Sequence, residues 1–250
     1  MKIFNMFRKI WEKIKKWRAS PEKEITEFIE FQEKRFAKWG YSILKKILGP
    51  IIRKVWIDEV EGLENIPEKG PCIIASNHES YFDFICFAAI SPRKIHYLAA
   101  EKFYSSRFWK PLMKITGQIR VDRTTHDKQH THKLIFSALK QNRMIGIFPE
   151  GTRSRDGNLL PAYTGVAQFA LKAKVPVVPV GVIGTREIMA PHEKRPHFDK
   201  KAKIKIGKPM NFEEHYDKEH DENLFREITD KIMLKIAELA GKEYPHIRKK

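Results

Sequence analysis

An imidazole and a carboxylate stand five positions apart in the stretch Ala75-Ser76-Asn77-His78-Glu79-Ser80-Tyr81-Phe82-Asp83. One continuous helix would turn His78 and Asp83 to different faces. They meet only if His78 lies in a turn before a helix and Asp83 in its first turn. The flanking residues allow that arrangement. Cys72-Ile73-Ile74-Ala75 reads as a buried strand, Ser76-Asn77 stops it, and a helical segment runs from Tyr81 to Ala89. A carboxylate so placed accepts a bond from one ring nitrogen and leaves the other as a general base. The same residues also suit a plain helix start, with Asn77 and His78 as caps and Asp83 favouring the N-terminal dipole. Both readings stand on this stretch alone.

A second stretch with chemical content follows the apolar run Met144-Ile145-Gly146-Ile147-Phe148. There Pro149 halts the strand and Glu150-Gly151-Thr152-Arg153-Ser154-Arg155 follows. Glycine permits close backbone approach. Arginine presents a planar fork matched to phosphate, and the hydroxyls and carboxylate can bind alcohols. The Gly-Lys-Ser/Thr of a nucleotide-binding P-loop is absent, and an ordinary polar turn with solvated arginines is the plainer alternative. His126, His130 and His132 also cluster, the first two at helical spacing. No Cys or acidic ligand matches them, so an exposed polar helix face is expected there and no metal site.

These residues must be positioned by the elements around them. Strands are expected at 55–60, 72–75, 95–100, 119–121, 144–148, 175–182 and 203–207. Helices are expected from Tyr81, through Trp109 and Met113, and from Leu224 to Leu239 with Gly241 as the stop. Pro179 inside one run implies an edge, a bulge or a strand end. The alternation argues an α/β layered fold, a mixed sheet flanked by helices. The two cysteines, Cys72 and Cys86, lie in apolar runs and form no disulfide framework.

The formal charge of +17 asks for an anionic partner. Residues 1–54 hold 15 Lys/Arg against 6 Asp/Glu, while the other 196 hold 33 against 25, so the excess is concentrated at the N-terminus. There Ile3, Phe4, Phe7, Ile10, Trp11, Ile14 and Trp17 share a helical stripe with cations mostly off it. After Ser20-Pro21 a second amphipathic segment runs to Gly49-Pro50. No uncharged run reaches the roughly 18 residues of a membrane span, and Lys and Arg interrupt any signal-peptide core. An amphipathic two-helix hairpin over residues 1–50, lying in the plane of an anionic membrane, accounts for aromatics and charge together. Phe4, Phe7, Trp11 and Trp17 are then the anchoring side chains. Packing of the same stripe on the protein's own core is the alternative. Nucleic acid is not the expected partner, because neither zinc-finger spacing nor an RNA-binding aromatic motif occurs.

Taken together, the sequence resembles the glycerolipid acyltransferase family, which includes the 1-acylglycerol-3-phosphate acyltransferases. Four motifs occur in family order: Asn77-His78 with Asp83, Gly117 to Asp122-Arg123, Phe148-Pro-Glu-Gly-Thr-Arg-Ser154, and Val175-Pro176 to Pro179. Two departures are Arg120, where the family usually has an apolar or aromatic residue, and the stretch Pro161 to Gly165, which lacks a basic residue before the glycine. The resemblance implies an acyltransferase domain over 51–250, without metal or cofactor, on the cytoplasmic face of a membrane. It implies that His78 takes a proton from the sn-2 hydroxyl of lysophosphatidic acid as that oxygen attacks an acyl thioester, and that Asp83 orients His78. The thioester is acyl carrier protein or acyl-coenzyme A. Glu150, Gly151, Thr152 and Arg153 hold the glycerol-phosphate head, with Arg123 and Lys102 adding phosphate contacts and Ser80 a bond to the acceptor. Glycerol-3-phosphate or another lysophospholipid remains an alternative acceptor, and a basic nucleic-acid- or membrane-binding protein the non-enzyme alternative.

Overall fold

Seven strands hydrogen-bond into one sheet in the order β1-β7-β6-β2-β5-β3-β4, in a computed structural model that describes residues 35–107, 109–121 and 128–247. The strands are β1 (Ile57–Glu61), β2 (Cys72–Ser76), β3 (Ile95–Ala100), β4 (Ile119–Val121), β5 (Met144–Ile147), β6 (Val177–Ile183) and β7 (Ala202–Ile206). All neighbouring pairs are parallel except β6 with β7. The mixed sheet flanked by helices is therefore as expected. The helices are α1 (Arg35–Trp56), α2 (Phe82–Ile90), α3 (Lys102–Ser105), α4 (Trp109–Thr116), α5 (Lys128–Lys140), α6 (Gly165–Ala173), α7 (Thr185–Ile188) and α8 (Glu222–Ala240).

The period-two geometry of a strand divides the core into two layers. Ile73 and Ala75 of β2 point to one face, with Ile145 and Ile147, and pack under α5, α6 and α8. Cys72 and Ile74 point to the other, with Val178, Val180 and Val182, and pack under α2 and the end of α1. Parallel strands covered on both faces need to be apolar throughout, and β2 is buried at all five positions. By contrast β7 alternates buried and more exposed residues. Asp221 caps α8 by accepting from the Leu224 N–H, and Gly241 closes it in the left-handed conformation.

One sequence expectation is corrected and another narrowed. α1 does not stop at Gly49-Pro50 but runs on to Trp56, so the strand expected from Val55 begins at Ile57. Packing overrides the proline: Gly49 is buried against α2, where a Cβ would lie 3.5 Å from the Ala89 carbonyl oxygen, while Pro50 faces outward. The Trp56 indole N–H then donates to the His197 carbonyl at 3.0 Å, fixing the helix end to the sheet's rim. Of the three settings expected for Pro179, the structure shows the bulge: β6 is an interior strand, and its register with the β7 side shifts by one residue between Val180–Ile206 and Val177–Met210. Gly207 donates to the Pro179 carbonyl, and β7 departs beyond that point before Met210 rejoins Val177, so no partner waits for the missing N–H. The proposed first helix, with Phe4, Phe7, Trp11 and Trp17, lies outside the described residues, as do Arg123 and His126.

Candidate active site

The carboxyl ends of parallel β2, β5, β6 and β3 lie on one edge of the sheet, where ligands of open α/β sheets bind. Each contributes a piece of one constellation. From the end of β2 comes a turn, residues 77–81, that delivers His78, and α2 begins at once with Asp83 in its first turn. The His78 Nδ1–H donates to Asp83 Oδ2 at 2.7 Å. The turn-then-helix condition that spacing imposed on this pair is thus met.

Asp83 is buried, yet its charge is fully answered. Oδ2 also accepts from the Glu79 N–H at 2.8 Å and the Ser80 N–H at 3.0 Å, and Oδ1 accepts from the Thr185 hydroxyl. The start of α2 adds its dipole. Four donors fix the carboxylate, and the carboxylate fixes the imidazole tautomer, leaving Nε2 as the basic nitrogen. The His78 ring stacks on Phe148 with centroids 3.8 Å apart, and Phe148 stacks on Tyr97 at 5.4 Å. The ring is therefore held by bond and by face, with 15% of the side chain exposed.

The loop after β5 is joined to this turn through the backbone. Ser154 N–H donates to the His78 carbonyl at 2.7 Å. Glu150 accepts from the His78 N–H with one oxygen and from the Leu160 N–H with the other, both at 2.8 Å. Burial pushes the Glu150 carboxyl up to about 7; the two N–H bonds oppose this, and the charges of Glu79 and Asp83 add to it. Gly151 takes a left-handed φ of 68°, and a Cβ there would lie 2.8 Å from the Tyr163 ring. Arg153 lays its guanidinium 3.8 Å from the Tyr81 ring centroid, and the Tyr81 hydroxyl accepts from Lys102 Nζ at 3.4 Å. Cations from the ends of β3 and β5 thus share Tyr81, in the same turn as His78.

Not every expected side chain faces that cluster. Ser80 is fully buried; its hydroxyl donates to the Met189 carbonyl at 2.6 Å and accepts from the Phe82 N–H. It shapes the turn and presents no exposed face to an acceptor. Glu150 is likewise committed to backbone, not open to a glycerol hydroxyl. Thr152 is exposed. Among the unexpected contributors, Asn77 pairs its amide with both backbone groups of Val182 at 2.8 Å, pinning the turn to β6. Thr185 reaches Asp83 from across the sheet. No spacing rule links residues 102 positions apart; only the pairing of β2 with β6 does so.

The fold has a solved counterpart. The crystal structure of the 1-acyl-sn-glycerophosphate acyltransferase of Thermotoga maritima superposes with a TM-score of 0.63 over 86% of this chain and 88% of that one, at 23% identity. Among curated proteins, a chloroplastic 1-acyl-sn-glycerol-3-phosphate acyltransferase of Brassica napus is 31% identical over 158 residues, 62% of this chain and 46% of that protein. The enzyme of the same name from Salmonella typhimurium is 34% identical over 118 residues, 46% and 48% of the two chains. That from Bacillus subtilis is 29% identical over 155 residues, 61% and 73%. The chain spans about half the length of the first two of these relatives. The model of the family described as Acyltransferase matches residues 58–183, half of the 250-residue chain and every motif-bearing strand end described above. The chain belongs to this acyltransferase family.

Proposed function

We propose that the protein moves a fatty acyl group from an acyl thioester to the sn-2 hydroxyl of lysophosphatidic acid, giving phosphatidic acid. The observation that carries this is the His78–Asp83 pair with its outer ring nitrogen unbonded to carboxylate, beside the Arg153–Tyr81–Lys102 cluster. A base for an alcohol and a cationic holder for a phosphate stand on one sheet edge. The relatives named above as 1-acyl-sn-glycerol-3-phosphate acyltransferases support the acceptor.

In this reaction His78 Nε2 takes the hydroxyl proton as the acceptor oxygen bonds to the thioester carbonyl carbon. Asp83 stabilises the imidazolium that forms, as the acid of a serine-protease triad does. The tetrahedral intermediate then expels thiolate, which takes the proton back from Nε2, so that ester and free thiol leave a neutral imidazole. Arg153 and Lys102 hold the acceptor phosphate, and Arg123 joins them as the resemblance implies. The donor is acyl carrier protein or acyl-coenzyme A, both anionic and suited to a basic surface.

The acceptor is a lipid, so the enzyme works against an anionic membrane on its cytoplasmic face. Among the described residues no helix is long and apolar enough to cross a membrane. α1 instead exposes Trp39, Ile47 and Ile51 beside Lys46, Arg53 and Lys54, in keeping with a helix in the interface plane. With α1 continuous to Trp56, the proposed anchor, residues 1–50, shares that helix with the proposed catalytic domain, 51–250.

The test is one assay. Lysophosphatidic acid, glycerol-3-phosphate and other lysophospholipids are each offered with a panel of acyl thioesters of both donor types, and products are identified by mass. Acylation of lysophosphatidic acid, lost in His78→Ala and Asp83→Ala at unchanged melting temperature, is the expected result. Transfer to another acceptor only, or wild-type turnover in either variant, overturns the reading.

A further inference from the structure

Beyond the motifs, one cation enters the catalytic turn from the far end of the chain. Lys242 follows Gly241, whose left-handed φ of 64° turns the chain at the end of α8. Its backbone N–H bonds to the Ala237 carbonyl, so its origin is set by the helix cap. The Nζ donates to the carboxylate of Glu79 and, at 2.6 Å, to the carbonyl of Gly157. Glu79 is buried, and the same oxygen accepts from the Asn77 amide at 2.9 Å. The Glu79 N–H, meanwhile, donates to the Asp83 oxygen that holds His78. Gly157 belongs to the loop after β5, bonded through its N–H to the Ser154 hydroxyl, and Ser154 grips the His78 carbonyl. One ammonium therefore ties both segments that define the position of His78.

We infer that Lys242 is a positioning residue for the transfer reaction: its pairing with Glu79 and Gly157 holds the His78–Asp83 turn in register with the Arg153 loop. This rests on the acyl-transfer reading above. Burial lifts the Glu79 carboxyl above its ordinary range; the bond and charge of Lys242 oppose that rise, the charge of Asp83 adds to it, and the Asn77 amide opposes it. Without Lys242 a buried carboxyl beside Asp83 has one side-chain partner left, and turning it to protonate or reach water disturbs the N–H it presents to Asp83. The fold supports the reach of this lysine. A Cβ at Gly181 would sit 2.5 Å from the Ala240 nitrogen and from the Leu239 carbonyl carbon, so only glycine lets the end of α8 approach β6 this closely. Val182, the next residue, is the one clamped by Asn77.

Wild-type transfer, abolished in His78→Ala, first establishes the reaction itself, so failure there is failure of the proposed function and not of this inference. Lys242→Met is then expected to lower kcat by about 10- to 100-fold, the scale of a misplaced catalytic group. The KM for the acceptor should stay within about twofold, because the phosphate-holding residues are untouched. Lys242→Arg should recover most of the rate. Glu79→Gln keeps an oxygen for the Asn77 amide and tests the same link if Lys242→Met does not fold. The double variant Glu79→Gln/Lys242→Met should be no slower than the worse single one, since no unpaired buried charge remains. A kcat within twofold of wild type in folded Lys242→Met or Glu79→Gln overturns the inference, as does a rate loss in either that lies wholly in acceptor KM.

Discussion

Thr185 illustrates how much of the site is carried by residues outside the motifs. Its hydroxyl, fully buried, supplies the bond that Asp83 Oδ1 accepts, while the other three donors crowd Oδ2. Thr185→Val keeps the shape and removes the donor. A hydrogen bond to a charged group contributes about 1.5–3 kcal/mol, and the abandoned oxygen cannot reach water. The variant should unfold at lower urea concentration, and its kcat should fall further than its acceptor KM rises; Thr185→Ser should restore both. A Val variant with wild-type stability and rate would mean that the two backbone N–H groups and His78 suffice for Asp83. At this scale the sequence was legible where residues are neighbours. The His78–Asp83 geometry follows from a five-residue spacing, and Arg153 from a short loop. The resemblance places Ser80 and Glu150 on the acceptor, but a buried turn needs its own N–H groups satisfied, and that need claims both. Thr185 and Lys242 carried no signal, since 102 and 163 positions separate them from their partners.

Among the elements, β5 has the tightest tolerance. Gly146 lies between β2 and β3, and a Cβ there would fall 2.4 Å from two carbons of the Tyr97 ring. Tyr97 is buried and stacks on Phe148, which stacks on His78, so it cannot yield without moving that series of rings. Gly146→Ala should therefore cost about 1–3 kcal/mol, the usual range for overpacking. A lowered melting temperature together with a reduced kcat is the expected outcome; a variant that melts like wild type would show that Tyr97 has room to shift. Element types could be read from periodicity, because apolar runs of five or six residues flanked by turn formers describe β2, β3 and β5 well. One boundary and the strand order could not. Gly49-Pro50 has every mark of a helix end, yet the packing of α1 on α2 carries the helix through it. The order of strands, including the antiparallel β7, depends on contacts between distant segments that no local pattern encodes.

For the whole molecule, the proposed lipid acceptor raises the question of which surface would meet a bilayer. Charge alone gave a direction, since the N-terminal fifth carries about half of the net +17. Within the described residues, Trp39, Ile47 and Ile51 are 66%, 58% and 51% exposed at helical spacings of eight and four. They form a stripe that water does not favour, and Lys46, Arg53 and Lys54 lie exposed beside it. Full burial of a large apolar side chain contributes about 1.5–3 kcal/mol, and each cation near an anionic leaflet about 1 kcal/mol. A triple variant, Trp39→Glu, Ile47→Glu and Ile51→Glu, removes the apolar term and opposes the charge term. Because these side chains lie outside the core, its melting temperature and its turnover of a short-chain, water-dispersed acceptor should match wild type. Its flotation with anionic vesicles should fall sharply, and its turnover of vesicle-borne acceptor should fall with it. Flotation equal to wild type would take α1 off the membrane and leave the attraction to residues 1–34. Flotation lost equally from neutral and anionic vesicles would assign the binding to apolar burial, while a loss confined to anionic vesicles would assign it to charge.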